Sequence, residues 1–183
     1  MMKSGKSEIQ REARRMGLRV KGNFLIALHT ADVVSGIAVD APPSSIYLWT
    51  FVLPTYDDLS FLHMSFGHRV ATCAGSGRCF SEAYEVYSRK MLGVASAKDL
   101  VAYLDAESIQ GDNGMWVRII SHVRAGDLPS AEAALRILSS MPMHKETQRK
   151  LGMLNASLGD GGLSAAQAVL EGWERNSATL FDG

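Results

Sequence analysis

The chain is poor in the residues that most readily identify a protein. Of 183 residues only two are cysteine and five are proline, and aromatics make up 8%. Two cysteines cannot build a disulfide framework, so a reduced, cytoplasmic compartment is the expectation, with Cys73 and Cys79 as small buried hydrophobes. Lys and Arg number 19 and Asp and Glu number 19, so no net charge points to a polyanion or an acidic partner. The longest strongly apolar run, Ile46 to Leu53, is far below the roughly 20 residues that span a bilayer. No secretory signal is expected, because the first apolar stretch, Phe24 to Leu28, lies behind seven basic residues. At 46% hydrophobic and 21% charged, the composition is that of a globular protein.

Charge is nonetheless unevenly placed. Residues 1–23 carry seven basic side chains against Glu8 and Glu12, a net of +5, whereas residues 81–183 carry 10 basic and 13 acidic ones. A basic front thus precedes a mildly acidic rear.

Hydrophobic spacing divides the chain in the same way. Ser7-Glu-Ile-Gln10 matches a capping box, Ile9, Ala13 and Met16 share one helical face, and Gly17 stops that helix. Alternation then marks strands at 20–28 and 33–39, a strand covered on both faces at Ile46 to Leu53, and a fourth from Leu59 to Ala71. From Ser81 onward, helices are expected over 81–92, 97–106, 113–125, 129–141, 144–158 and 164–175. Ser96 with Asp99 and Ser164 with Gln167 cap two of them, and Pro129 suits a first turn. Each of the last four carries one apolar stripe, so neighbours in sequence should pack as antiparallel hairpins. The expected fold is α+β: an N-terminal helix, an antiparallel sheet of about four strands and a mostly helical C-terminal half. The expected units are residues 1–80 and 81–183, or one domain containing both.

The rear half contains a near-repeat. His122-Val-Arg-Ala-Gly-Asp-Leu-Pro-Ser-Ala-Glu-Ala-Ala-Leu returns in outline as Asn155-Ala-Ser-Leu-Gly-Asp-Gly-Gly-Leu-Ser-Ala-Ala-Gln-Ala-Val-Leu, with Gly126-Asp127 and Gly159-Asp160 33 positions apart. Over about 113–175 this resembles tetratricopeptide-type helical hairpins, without their usual aromatic pattern in each first helix. The resemblance implies a scaffold that binds other chains. In the front half, Gly17-Leu-Arg-Val-Lys-Gly-Asn-Phe24, Trp49-Thr-Phe-Val-Leu-Pro-Thr-Tyr56 and Leu62-His-Met-Ser-Phe-Gly-His-Arg69 resemble bacterial α+β proteins associated with immunity and defence genes. That resemblance brings no catalytic set.

Candidate chemistry is sparse. His63 and His68 are five apart, which on a strand puts them on opposite faces unless a bulge at Gly67 intervenes. Asp57 and Asp58 are adjacent loop acids, a pattern that is usually solvated. The Cys73–Cys79 spacing is too loose and too solitary for a zinc knuckle. A nucleophilic cysteine with His63 or His68 as base has nothing to select it. Gly75-Ser-Gly-Arg78 could cradle a phosphate, but it lacks Gly-Lys-Ser/Thr and reads better as a connector.

Arg11, Arg14 and Arg15 are the candidates for anion contact. A solvated face laced with Glu8–Arg11 and Glu12–Arg15 pairs is favoured over that role. Trp49, Trp116 and Trp173 sit in apolar stripes, where core packing is the default. As anchors for a partner protein, Met115, Trp116 and Trp173 are the candidates. The sequence therefore favours a non-catalytic protein-binding module, an immunity-like or accessory subunit without cofactor or metal. A nucleic-acid-associated protein using the basic first helix, and an enzyme built on His, Cys and Asp, stand as alternatives.

Overall fold

The computed structural model describes residues 3–73 and 78–181. It is α+β and falls into two compact units, Met1–Leu53 with Leu62–Ala95 and Pro54–Phe61 with Ser96–Gly183. This division differs from a cut at residue 80. The helix after the sheet stays with the strands, and the eight residues Pro54–Phe61, from the last residue of the fourth strand onward, belong to the helices.

In the sheet unit, α1 (Lys3–Arg15) precedes β1 (Arg19–Lys21), β2 (Phe24–His29), β3 (Val33–Asp40), β4 (Ile46–Pro54) and β5 (Arg69–Cys73), and α2 (Arg78–Lys90) follows. The strands form an antiparallel meander in chain order. There are five strands where about four were expected, because the stretch at 20–28 folds on itself. Gly22-Asn23 makes a two-residue turn that sets Lys21 opposite Phe24 and Val20 opposite Leu25. The helix ahead of it begins at Lys3, so Ser7 lies within α1 and does not cap it.

The strand expected from Leu59 to Ala71 shortens to β5. Its first residues cannot join a ladder: Leu59 N–H donates to Ser177 Oγ (2.9 Å), and the same hydroxyl donates to the Asp57 carbonyl (2.7 Å). Closer to β5, His68 pairs with Thr50, with Thr50 N–H donating to the His68 carbonyl (2.9 Å). The bulge lies in β5 at Val70, the extra residue between the pairs Leu48–Ala71 and Trp49–Arg69, not at Gly67.

The expected burial of β4 holds, and β3 is buried from Val33 to Val39. Within that strand the Ser35 hydroxyl pairs with Tyr87 Oη of α2 at 3.0 Å. Burial pushes the Tyr87 phenol pKa up. Gly36 has no space for a side chain, since a Cβ there would lie 2.1 Å from the Leu25 carbonyl oxygen.

Cys73 and Cys79 are buried as expected but joined, their Cα atoms 5.7 Å apart across the end of β5 and the start of α2. This corrects the expectation of two separate thiols. The strand end and the helix start bring the pair within bridging range, which no count of cysteines reveals. A disulfide persists in oxidising surroundings, so the cysteines give no argument for a reducing compartment.

The helical unit holds α3 (Ala97–Ala106), α4 (Asp112–Arg124), α5 (Leu128–Ser139) and α6 (Lys145–Phe181). Ser96 and Asp99 form the expected capping box. Asp127 caps α5 by accepting from Ser130 N–H, with Pro129 in the first turn. α4 is the hub, packed against α3, α5 and α6 and buried on nearly all sides.

α6 spans both helices expected at the C-terminal end, and it doubles back. Lys150 and Ser177 both bond to Asp57. In a straight helix those 27 residues would hold them roughly 40 Å apart. The break is at Gly162, whose φ of 65° and ψ of −151° leave the helical region. The two arms are thus an antiparallel hairpin. Gln167, expected to complete a second capping box, donates instead to the Val123 carbonyl of α4 (3.1 Å).

The start of α6 is tied to α4 by Asp112, which accepts from His144 N–H (2.9 Å) and Thr147 Oγ1 (3.3 Å). Partial burial opposes the charge on Asp112, but these bonds and the Asn113 N–H outweigh it and hold its carboxyl below the usual range. Among the described residues no helix is long and apolar enough to cross a membrane.

Two measurements test this account. Gly36→Ala should cost about 2–4 kcal/mol in urea unfolding, because backbone must shift. Gly152→Ala, exposed within α6 with open space around it, should add about 0.5–1 kcal/mol. For Asp112 the folded-state pKa lies below the unfolded one. Its contribution is therefore complete above the ordinary carboxylate range and is lost as pH falls through the lowered value. Asp112→Asn should flatten the acid side of the stability–pH curve while leaving its shape near neutrality unchanged.

Candidate functional site

The densest polar constellation is centred on Asp57, in the stretch Pro54–Phe61. Its Oδ1 accepts from Lys150 Nζ (2.8 Å), Trp116 Nε1 (3.1 Å) and Asp58 N–H (2.9 Å). Asp57 is 4% exposed and Lys150 7%. α4 supplies the tryptophan, the first arm of α6 the lysine, and its second arm Ser177, which reads the backbone at Asp57 and Leu59.

On either side, Tyr56 Oη pairs with Ser121 Oγ (2.8 Å), and the Arg124 guanidinium lies over the Tyr56 ring. Asp58 pairs with Arg149, which also bonds Glu146. The hydrogen bonds to Glu146 and then to Asp58 push the Arg149 pKa still higher, so it stays charged. The helices therefore grip a stretch of turns and bends through both its side chains and its main chain. Three donors on one carboxylate oxygen and a buried ammonium satisfied by it make this a clasp.

Sequence reasoning took Asp57 for a solvated loop acid. The available signal was Lys150, which falls on the stripe of Leu151 and Leu154, where a cation needs a buried counter-ion. The carboxylate that meets it lies 93 residues earlier, beyond the reach of any local pattern.

A second concavity, of about 180 Å³, is lined by Lys98, Val101, Ser121, His122, Ala125 and Asp127. His122 Nδ1 stands 3.5 Å from Asp127 Oδ2. The hydrogen bonds from Ser130 lower the Asp127 pKa.

The expected partner anchors are mostly internal. Trp116 is 1% exposed and Trp173 4%, their rings 5.8 Å apart, and Met115 is half-buried. Both tryptophans were placed in apolar stripes, and it is the packing around α4 that closes over them. His63 Nδ1 pairs with Ser65 Oγ (2.7 Å), and His68 N–H donates to Thr50 Oγ1 (2.9 Å). Cys73 is in the disulfide, so it offers no thiolate while that bond persists. Among the described residues no three His, Cys, Asp or Glu side chains converge as a metal site would require. The 75–77 loop lies outside the described residues.

Arg11, Arg14 and Arg15 are exposed, and among the described residues none of them forms an ion pair. This corrects the expected Glu8–Arg11 and Glu12–Arg15 pairs. The Glu12 carboxylate turns to the Ser81 hydroxyl of α2 instead (3.2 Å).

The clasp predicts a specific double-mutant cycle. Asp57→Asn leaves the Lys150 charge buried without its counter-ion and should cost about 3–5 kcal/mol. Lys150→Met on that background should recover a large part, because the orphaned charge is gone. Simple additivity of the two costs in chemical denaturation would refute the coupling. No protein-family model, curated protein or solved structure matches this chain.

Proposed function

We propose that the helical unit is a protein-binding module and that the chain acts without catalysis, as an accessory or immunity-like subunit of a bacterial complex. The observation that carries this reading is the grip on Pro54–Phe61. These helices hold a turning segment of polypeptide by backbone hydrogen bonds through Ser177, by a buried acid–base pair and by an aromatic hydroxyl. The doubled-back α6 beside α4, and α5 on the same hub helix, support the resemblance to tetratricopeptide-type hairpins, and such scaffolds bind other chains. The immunity-like part rests on the front-half resemblance alone.

With Trp116 and Trp173 inside, affinity falls to apolar side chains that the helical unit leaves in water. Ile137 on α5 is 52% exposed and Met153 on α6 is 43% exposed. Exposed large side chains of this kind serve as anchors when a partner covers them.

Photo-crosslinkers placed at Ile137 and Met153 in the native host should each give the same dominant adduct, while one at exposed Glu132 should not. Ile137→Glu should weaken that complex at least tenfold without lowering the unfolding temperature. The same spread of adducts at all three positions would remove the reading.

A further inference from the structure

The basic front of the chain forms a surface whose charge the fold leaves uncompensated. Arg11, Arg14 and Arg15 recur at i, i+3 and i+4, neighbours roughly 5–6 Å apart on one side of α1. All three are exposed and, among the described residues, lack an ion-pair partner. Glu12 turns to Ser81, and Glu8 is exposed without an ion pair among the described residues, so the five basic and two acidic side chains of α1 leave it a net charge of +3.

The chain then turns at 16–18, and β1 runs back beside α1. Gln10 Nε2 donates to the Gly22 carbonyl (2.7 Å), and Lys6 Nζ reaches Asn23 Oδ1. Arg19 of β1 lies on the sheet face away from α2, its guanidinium 3.2 Å from His29 Nδ1, and is not part of this row. Helix-dipole complementarity accounts for basic residues in the last turn, Arg14 and Arg15, but not for Arg11.

We propose that this face, Arg11, Arg14 and Arg15 of α1, binds the phosphate backbone of a double-stranded nucleic acid. Arginine suits the task because its planar fork pairs with phosphate oxygens and never loses its charge. A lipid surface fits less well. The apolar face of α1, Ile9 and Ala13, is 3% and 0% exposed against its own unit, so the helix has no hydrophobic side to insert. A single strand fits less well too, because the large exposed apolar side chain at this face is Met16, which offers no stacking platform. The proposal is independent of the protein-binding reading, which concerns the other unit.

The test is fluorescence anisotropy of the full chain with labelled 20-base-pair DNA and RNA duplexes. Three neutralised phosphates predict a slope of about −3 in log affinity against log salt. Affinity should then fall roughly fortyfold or more between 50 and 200 mM salt. The triple variant R11Q/R14Q/R15Q should lose most of the binding at 50 mM salt, with an unchanged circular dichroism spectrum and unfolding temperature. Removing the same charge elsewhere, with R136Q/K145Q/R175Q on the exposed helical side, should alter affinity less than twofold.

The proposal is overturned by absence of binding at 50 mM salt or by equal losses in the two triple variants. It is also overturned by tighter binding to a single strand of the same length, or by preference for phosphatidylserine vesicles over either duplex.

Discussion

Asp57 and Lys150 have both left water, and each is tolerated there because of the other. An isolated carboxylate or ammonium in such surroundings costs several kcal/mol, whereas a pair with its remaining hydrogen bonds filled is close to neutral. The contribution of this pair is therefore one of specificity more than of strength. A lysine on an apolar stripe accepts few arrangements of its surroundings, and the one realised places a particular carboxylate against it, with the Trp116 indole N–H and the Asp58 N–H on the same oxygen. Once Asp57 is fixed, its neighbours follow. Tyr56 reaches Ser121, Asp58 reaches Arg149, and Ser177 closes over the backbone from the far arm of α6.

The same constraint explains the shape of α6. Two arms that must both reach one residue cannot lie end to end, so the helix reverses, and Gly162 takes the backbone conformation that reversal needs. The hub helix α4 gains its near-complete burial from this arrangement, with α3, α5 and α6 against it. An internal position for Trp116 and Trp173 is a consequence, since they pack together beside the clasp. Recognition, if it belongs to this unit, is left to the outward side chains of α5 and α6. The basic face of the sheet unit presents a second and chemically different surface.

Much of the architecture was legible because it is written in local patterns. The stripe of Ile119, Ile120 and Val123, the Ser96 capping box and Pro129 in the first turn of α5 place helices from short windows, and the structure has them. The alternation through Val33–Val39 and the apolar run Ile46–Leu53 mark strands in the same way. What failed were inferences in which a distant partner took over a local preference. The alternation after Leu59 resembled a strand until Ser177 occupied its backbone. Ser7 matched a cap, yet α1 extends ahead of it. Glu12 had the spacing to pair with Arg15, yet a serine on another helix took its carboxylate.

The sequence by itself determined the class of the fold, the order of its elements and the segregation of positive charge to the front, because each depends on residue type and short-range spacing. Tertiary structure alone decided that Asp57 is a buried clasp, that Cys73 and Cys79 are joined, that Trp116 and Trp173 face inward and that Arg11, Arg14 and Arg15 form no ion pair among the described residues. Those outcomes depend on which groups meet across tens of residues of chain. A hydrogen bond or ion pair is set by separation in space, which sequence separation does not encode.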